Sequence, residues 1–117
     1  MITITQHKNL LVVSVFSQFN LADCKALEEH IVYFEQNDQE GNQLNLLVDF
    51  TDMVDYTIDA AIEELSFTRD HAGVINKIAL ISDNAWLSWV VSLGNLFTDY
   101  NVQAFSNENE AKEWLFS

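Results

Sequence analysis

Apolar and polar residues alternate with period two in Ile2-Thr-Ile-Thr5, and Leu10-Leu-Val-Val-Ser-Val-Phe16 follows as a short run rich in β-branched side chains. The pattern predicts two strands joined near His7-Lys8-Asn9 as a hairpin. The period then changes: Cys24, Leu27, Ile31 and Phe34 recur at spacings of three and four, the buried stripe of a helix over 21–36. Asn20 offers its N-cap, and Asp23 at the third helical position puts negative charge where the helix start favours it. Asn37–Gln43, polar and holding Gly41, is a loop. Leu44-Asn-Leu-Leu-Val-Asp-Phe50 is almost continuously apolar, as a strand covered on both faces should be.

Thr51–Thr57 reads as an acidic loop. Ile58, Ala61, Ile62, Leu65 and Ala72 define a second helix that Gly73 is placed to end. Lys77-Ile-Ala-Leu-Ile-Ser82 is a buried strand, and Asp83 or Asn84 caps a third helix. Asn101–Phe105 is a short strand, and Asn107 with Glu110 opens a last helix through Ala111, Trp114 and Leu115. The order β-β-α-β-α-β-α-β-α implies right-handed crossovers and an α/β sandwich: a mostly parallel sheet with one antiparallel edge strand. In such folds function sits beyond the carboxyl ends of the parallel strands.

Composition narrows the chemistry. With 117 residues the chain is expected to be a single domain, 1–117, large enough to fold without metal or disulfide. Eighteen acidic against five basic residues give a net charge of −13, which excludes a reader of the nucleic-acid backbone. Three glycines, no proline and one cysteine leave no material for a glycine-rich phosphate loop or a cysteine zinc site. The N-terminus lacks a basic head followed by an apolar stretch, and no window reaches ~18 apolar residues, so a cytoplasmic protein is expected.

Asp49, Asp52, Asp55 and Asp59, with Asp83, gather at the carboxyl edge. Clustered carboxylates can hold Mg²⁺. However, Asp49-Phe-Thr-Asp-Met lacks the aspartyl-phosphatase pattern, and a solvated acidic loop with helix caps accounts for them better. His7, His30 and His71 show no ligand spacing, and Cys24 lies on the apolar stripe as a small core residue. No serine occupies a glycine-flanked elbow. No catalytic set, metal site or cofactor is expected, and the chain reads as a non-enzyme.

The exceptional segment is Asn84-Ala-Trp-Leu-Ser-Trp-Val-Val-Ser-Leu-Gly-Asn-Leu-Phe97, without a charge between Asp83 and Asp99. Trp86, Trp89, Val90, Leu93 and Phe97 share one helical face, and Leu87, Val91 and Leu96 widen the apolar arc past the ~100° of a surface helix. Burying roughly 400 Å² of it would contribute about 10 kcal/mol at ~25 cal/mol per Å². Another helix, a second subunit in a homodimer, a hydrophobic small molecule or a membrane surface should cover it. Phe67, opposite the stripe of the second helix, is placed to close a cavity with it. At −13, membrane contact would rest on insertion of Trp and Leu rather than on attraction to anionic lipid.

Leu47-Val-Asp-Phe50, Ile78-Ala-Leu-Ile-Ser-Asp-Asn-Ala-Trp-Leu-Ser-Trp89, and Val102-Gln-Ala-Phe-Ser106 with Ala111-Lys-Glu-Trp-Leu115 together resemble the SpoIIAA-like group of the STAS domains over residues 10–116. The resemblance implies the STAS sandwich and a non-catalytic bacterial protein related to anti-sigma factor antagonists. Those antagonists are switched by phosphorylation of a serine in an Asp-Ser-Ser-Gly-type turn. The corresponding Asp55-Tyr-Thr-Ile-Asp59 has neither the serines nor the glycine. Thr57 is the nearest hydroxyl, but Asp55 and Asp59 would repel a phosphate there, and an N-cap role suits it better. The expectation is a cytoplasmic, peripherally membrane-associated binding module contacting ligand or membrane through Phe67, Trp86, Trp89, Val90, Leu93 and Phe97. The alternative is a regulator that binds a protein partner.

Overall fold

The computed structural model describes residues 1–38, 41–57, 59–60, 63, 73–82 and 101–117. Five strands form one sheet in the order β1-β2-β3-β4-β5: β1 (Ile2–His7), β2 (Leu10–Phe19), β3 (Leu44–Tyr56), β4 (Ile75–Ile81) and β5 (Asn101–Phe105). β1 pairs antiparallel with β2, and every other pairing is parallel. The expected sandwich, mostly parallel with one antiparallel edge strand, is therefore the observed one.

Each side of the sheet has its own core. Leu11, Val13 and Val15 of β2, Leu46 and Val48 of β3, and Ile78 and Leu80 of β4 meet helix α1 (Leu21–Asn37) through Cys24, Leu27, Ile31 and Phe34. Leu10, Leu47, Ala79 and Ile81 face the other way, toward Ala111 and Leu115 of helix α2 (Glu108–Leu115). Covering both faces is what makes β3 and β4 read as unbroken apolar runs.

The helix starts follow the sequence. The Asn20 side chain accepts from Asp23 N–H at 3.0 Å, and the Asp23 carboxylate accepts from Asn20 N–H at 3.2 Å, a reciprocal capping box. Asn107 accepts from Glu110 N–H at 2.8 Å. At the other end of α2, Lys77 reaches from β4 and donates to the Trp114 carbonyl at 3.0 Å, its ammonium lying 5.2 Å from the indole centre. A cation there complements the free carbonyls of the last turn.

The strands depart from expectation at one end. Thr51–Thr57, expected as a loop, continues β3 to Tyr56, while β2 runs on to Phe19. Phe16 aligns with Asp52, Ser17 with Met53, Gln18 with Asp55 and Phe19 with Tyr56. Two register shifts bend this part, and Ser17 adopts φ +58° beside one of them. The β3–β4 pairing ends at Asp49–Ile81, so among the described residues the last part of β3 is a ribbon held by β2 alone. Only Met53 of Thr51–Tyr56 is buried, and a strand that buries one side chain in six leaves no alternating signature.

Candidate functional site

The ribbon sets the geometry of the carboxyl edge. Asp49 is half-buried and accepts from Thr51 N–H at 2.9 Å and from the Thr51 hydroxyl, which fixes its carboxylate within the turn of the strand. Asp52 and Asp55 are exposed further along the same extended segment. Asp49 and Asp55 align with Ser14 and Gln18 of β2, four residues apart, so at ~3.3 Å per residue they stand roughly 13 Å apart, too far to share one cation. Among the described residues no three His, Cys, Asp or Glu side chains converge on a point. Asp83 lies outside the described residues, as does His71. His7 is on β1 and His30 on the exposed side of α1.

Val54 and Tyr56 project from the same ribbon, 83% and 40% exposed, interleaved with Asp52 and Asp55. Reading this stretch as a loop concealed that arrangement. The available signal was Met53-Val54, an apolar pair inside an acidic run.

Thr57 follows the ribbon. Its N–H donates to the Phe19 carbonyl at 3.0 Å, extending the β2–β3 ladder. Its hydroxyl oxygen accepts from Ala60 N–H at 3.3 Å, while the Asp59 carboxylate accepts from the same N–H at 2.8 Å. Asp59, Ala60 and Glu63 are helical, so the Thr57 oxygen sits over the first turn as a capping oxygen does. Phe67, Trp86, Trp89, Val90, Leu93 and Phe97, the expected ligand or membrane contacts, lie outside the described residues.

A second polar group joins α1 to the helical residues after Thr57. Lys25 Nζ lies 2.7 Å from Glu63 Oε1 and 3.5 Å from Glu28 Oε2, and the Cys24 thiol donates to Glu28 Oε1 at 3.7 Å. Burial, then hydrogen bonding to Glu63, raises the Glu28 carboxyl above the usual range. Glu63 is held low, chiefly by the hydrogen bond from Lys25, and hydrogen bonding to Glu63 holds Lys25 high. Cys24 itself is fully buried in the core. This cluster ties Glu63, one of the helical residues after Thr57, to α1.

The sheet order, the antiparallel edge and the helix on each face define the class: an α/β sandwich whose exposed carboxyl edge is acidic. The SpoIIAA-like family pattern matches residues 10–116, and the chain belongs to that family. No curated protein matches the chain. Among solved structures it is similar to an uncharacterised protein with a SpoIIAA-like fold from Shewanella loihica, at 18% identity and a TM-score of 0.74, covering 98% of this chain and 92% of that one. It is equally similar in fold, at a TM-score of 0.74 and 12% identity, to the unphosphorylated anti-sigma factor antagonist SpoIIAA, with 100% and 99% covered. The phosphorylated form of the Bacillus cell-fate determinant SpoIIAA follows at 0.68 and 12%, with 97% and 98% covered. At these identities the likeness is one of fold. No described helix is long and apolar enough to cross a membrane.

Proposed function

We propose that this chain is a non-catalytic regulatory binding module, a single cytoplasmic domain over 1–117, whose acidic carboxyl edge docks a basic protein partner. The observation that carries this reading is the overhanging end of β3, where exposed Val54 and Tyr56 alternate with Asp52 and Asp55. An apolar contact framed by charges of one sign gives a partner both area and orientation. The anti-sigma factor antagonist role of SpoIIAA, which shares the fold, supports it. A net charge of −13 favours rapid association with a basic surface.

In this reading Thr57 is a helix cap and not a phospho-acceptor. Its hydroxyl oxygen already meets Ala60 N–H, and a phosphate there would lie between the carboxylates of Asp55 and Asp59. The test is a photo-crosslinking amino acid at Tyr56 in cells. The expected result is one basic protein cross-linked, with capture weakened by salt and abolished by Asp52→Lys with Asp55→Lys. Capture indifferent to both overturns the reading.

The uncharged segment between Asp83 and Asp99 favours a second reading, in which Phe67, Trp86, Trp89, Val90, Leu93 and Phe97 take up a hydrophobic small molecule or meet a membrane. Under it, lipid or fatty acid co-purifies and is identified by mass spectrometry. Trp86→Ala and Trp89→Ala then lose that ligand while keeping the fold. If both variants unfold the protein, the indoles are core and this reading fails.

A further inference from the structure

The outer edge of β1 has the makings of a contact between two copies of this chain. Met1 N–H donates to the Phe16 carbonyl at 3.1 Å and Phe16 N–H to the Met1 carbonyl at 2.8 Å, so Met1 and Phe16 exchange both bonds. In an antiparallel ladder that fixes the rest: Thr3, Thr5 and His7 turn their backbone groups toward β2, and Ile2, Ile4 and Gln6 turn theirs outward. Among the described residues no strand pairs with that outer side.

Proteins usually guard such an edge with charged side chains, a proline or a bulge. β1 has none of these: Ile2-Thr-Ile-Thr-Gln-His7 contains no Lys, Arg, Asp, Glu or Pro, and its register against β2 is unbroken. Charge also selects the edge. A chain at −13 repels its own copy over most of its surface. Yet the first acidic residue in the sequence is Asp23, whose carboxylate accepts from the Asn20 cap and the Met1 ammonium. Ile2 and Ile4 face the α1 side of the sheet and are only partly buried, their outer flanks left open by the edge.

We infer that β1 pairs antiparallel with β1 of a second copy, about a two-fold axis at Ile4, making one sheet continuous through both subunits. Ile4 then exchanges both backbone bonds with the partner's Ile4, and Ile2 with the partner's Gln6. The outward groups are satisfied, and each Ile4 side chain covers the other. On the opposite face Thr3 stands beside the partner's Thr5. This contact is independent of what the acidic edge or the uncharged segment binds.

The test is sedimentation equilibrium across a concentration series on the wild type, on Thr3→Lys/Thr5→Lys and on Thr3→Glu/Thr5→Glu. Both threonines are exposed, so the variants should fold, which circular dichroism checks. The wild type should dimerise, each charged variant alone should dimerise about tenfold or more weakly, and an equimolar mixture of the two should recover dimer. Hydrogen exchange at the amides of Ile2, Ile4 and Gln6 should slow as concentration rises. A wild type that stays monomeric, or a dimer that neither variant weakens, overturns the inference.

Discussion

Replacing Glu28 by Gln should stabilise this protein at neutral pH. Glu28 is 9% exposed on the flank of α1. Burial is the largest influence on its carboxyl and the Glu63 hydrogen bond the next, both favouring the protonated form, while Lys25 opposes them more weakly. A carboxyl whose folded pKa lies above its ordinary 4.5 favours folding fully below that value. The contribution is lost as pH rises through the folded value. Burial and the Glu63 hydrogen bond thus make ionising Glu28 costlier in the folded chain than in the unfolded one. Glutamine is neutral at every pH and can still donate to Glu63.

Each unit of pKa displacement is worth about 1.4 kcal/mol, and the Lys25 contact given up offsets part of whatever the upward displacement contributes, so a net gain in stability is expected at pH 7. The gain should shrink toward zero near pH 4, where both side chains are neutral. Urea unfolding of wild type and Glu28→Gln across that range measures it. Glu29→Gln, an exposed neighbour on the same helix, serves as control for simply removing one charge from an acidic chain. If Glu28→Gln is less stable at pH 7, or gains no more than Glu29→Gln, burial does not govern this carboxyl and the reasoning fails.

Asn20→Ala removes one arm of the capping box and should cost about 1 kcal/mol in chemical denaturation, with Asn20→Gly costing less. Lys8 is the first residue of the two-residue β1–β2 turn and has φ +56°, a position where glycine is the favoured residue. Lys8→Gly should therefore raise stability by about 0.5–1 kcal/mol, and a loss would mean that the turn differs from this geometry. Lys77→Met keeps the apolar stem but withdraws the ammonium from the Trp114 carbonyl, which should cost about 1 kcal/mol and shorten the last turn of α2 in hydrogen exchange.

What was legible and what was not divide along one physical line. A residue pattern reports how an element is covered. The stripe Cys24, Leu27, Ile31 and Phe34, the runs Leu44–Phe50 and Lys77–Ser82, and the caps at Asn20 and Asn107 each record burial or a hydrogen bond within a few residues. The strands, the hairpin, the parallel order and the helices α1 and α2 followed from them, while the helices expected after Thr57 and after Ser82 lie largely outside the described residues. The candidate site was less visible. The six apolar contacts expected on and opposite the third helix fall outside the described residues. Thr57 was recognisable as a hydroxyl at a helix start, because capping too is local.

Tertiary structure alone decided the end of β3. Thr51–Tyr56 buries only Met53, and apart from the short Met53-Val54 pair nothing local distinguishes it from a loop. It is a strand because β2 also runs past the common core and supplies the ladder, with Phe16–Phe19 alongside. The same pairing spreads Asp49, Asp52 and Asp55 along an extended chain and turns Val54 and Tyr56 outward among them. Glu63 likewise reaches Lys25 and Glu28 from far along the sequence, and although Lys25 and Glu28 stand at the helical i,i+3 spacing, no spacing rule could have added Glu63 to them. Sequence determines the elements by what each must bury or bond locally, while partners distant along the chain exist only once the sheet has brought them together.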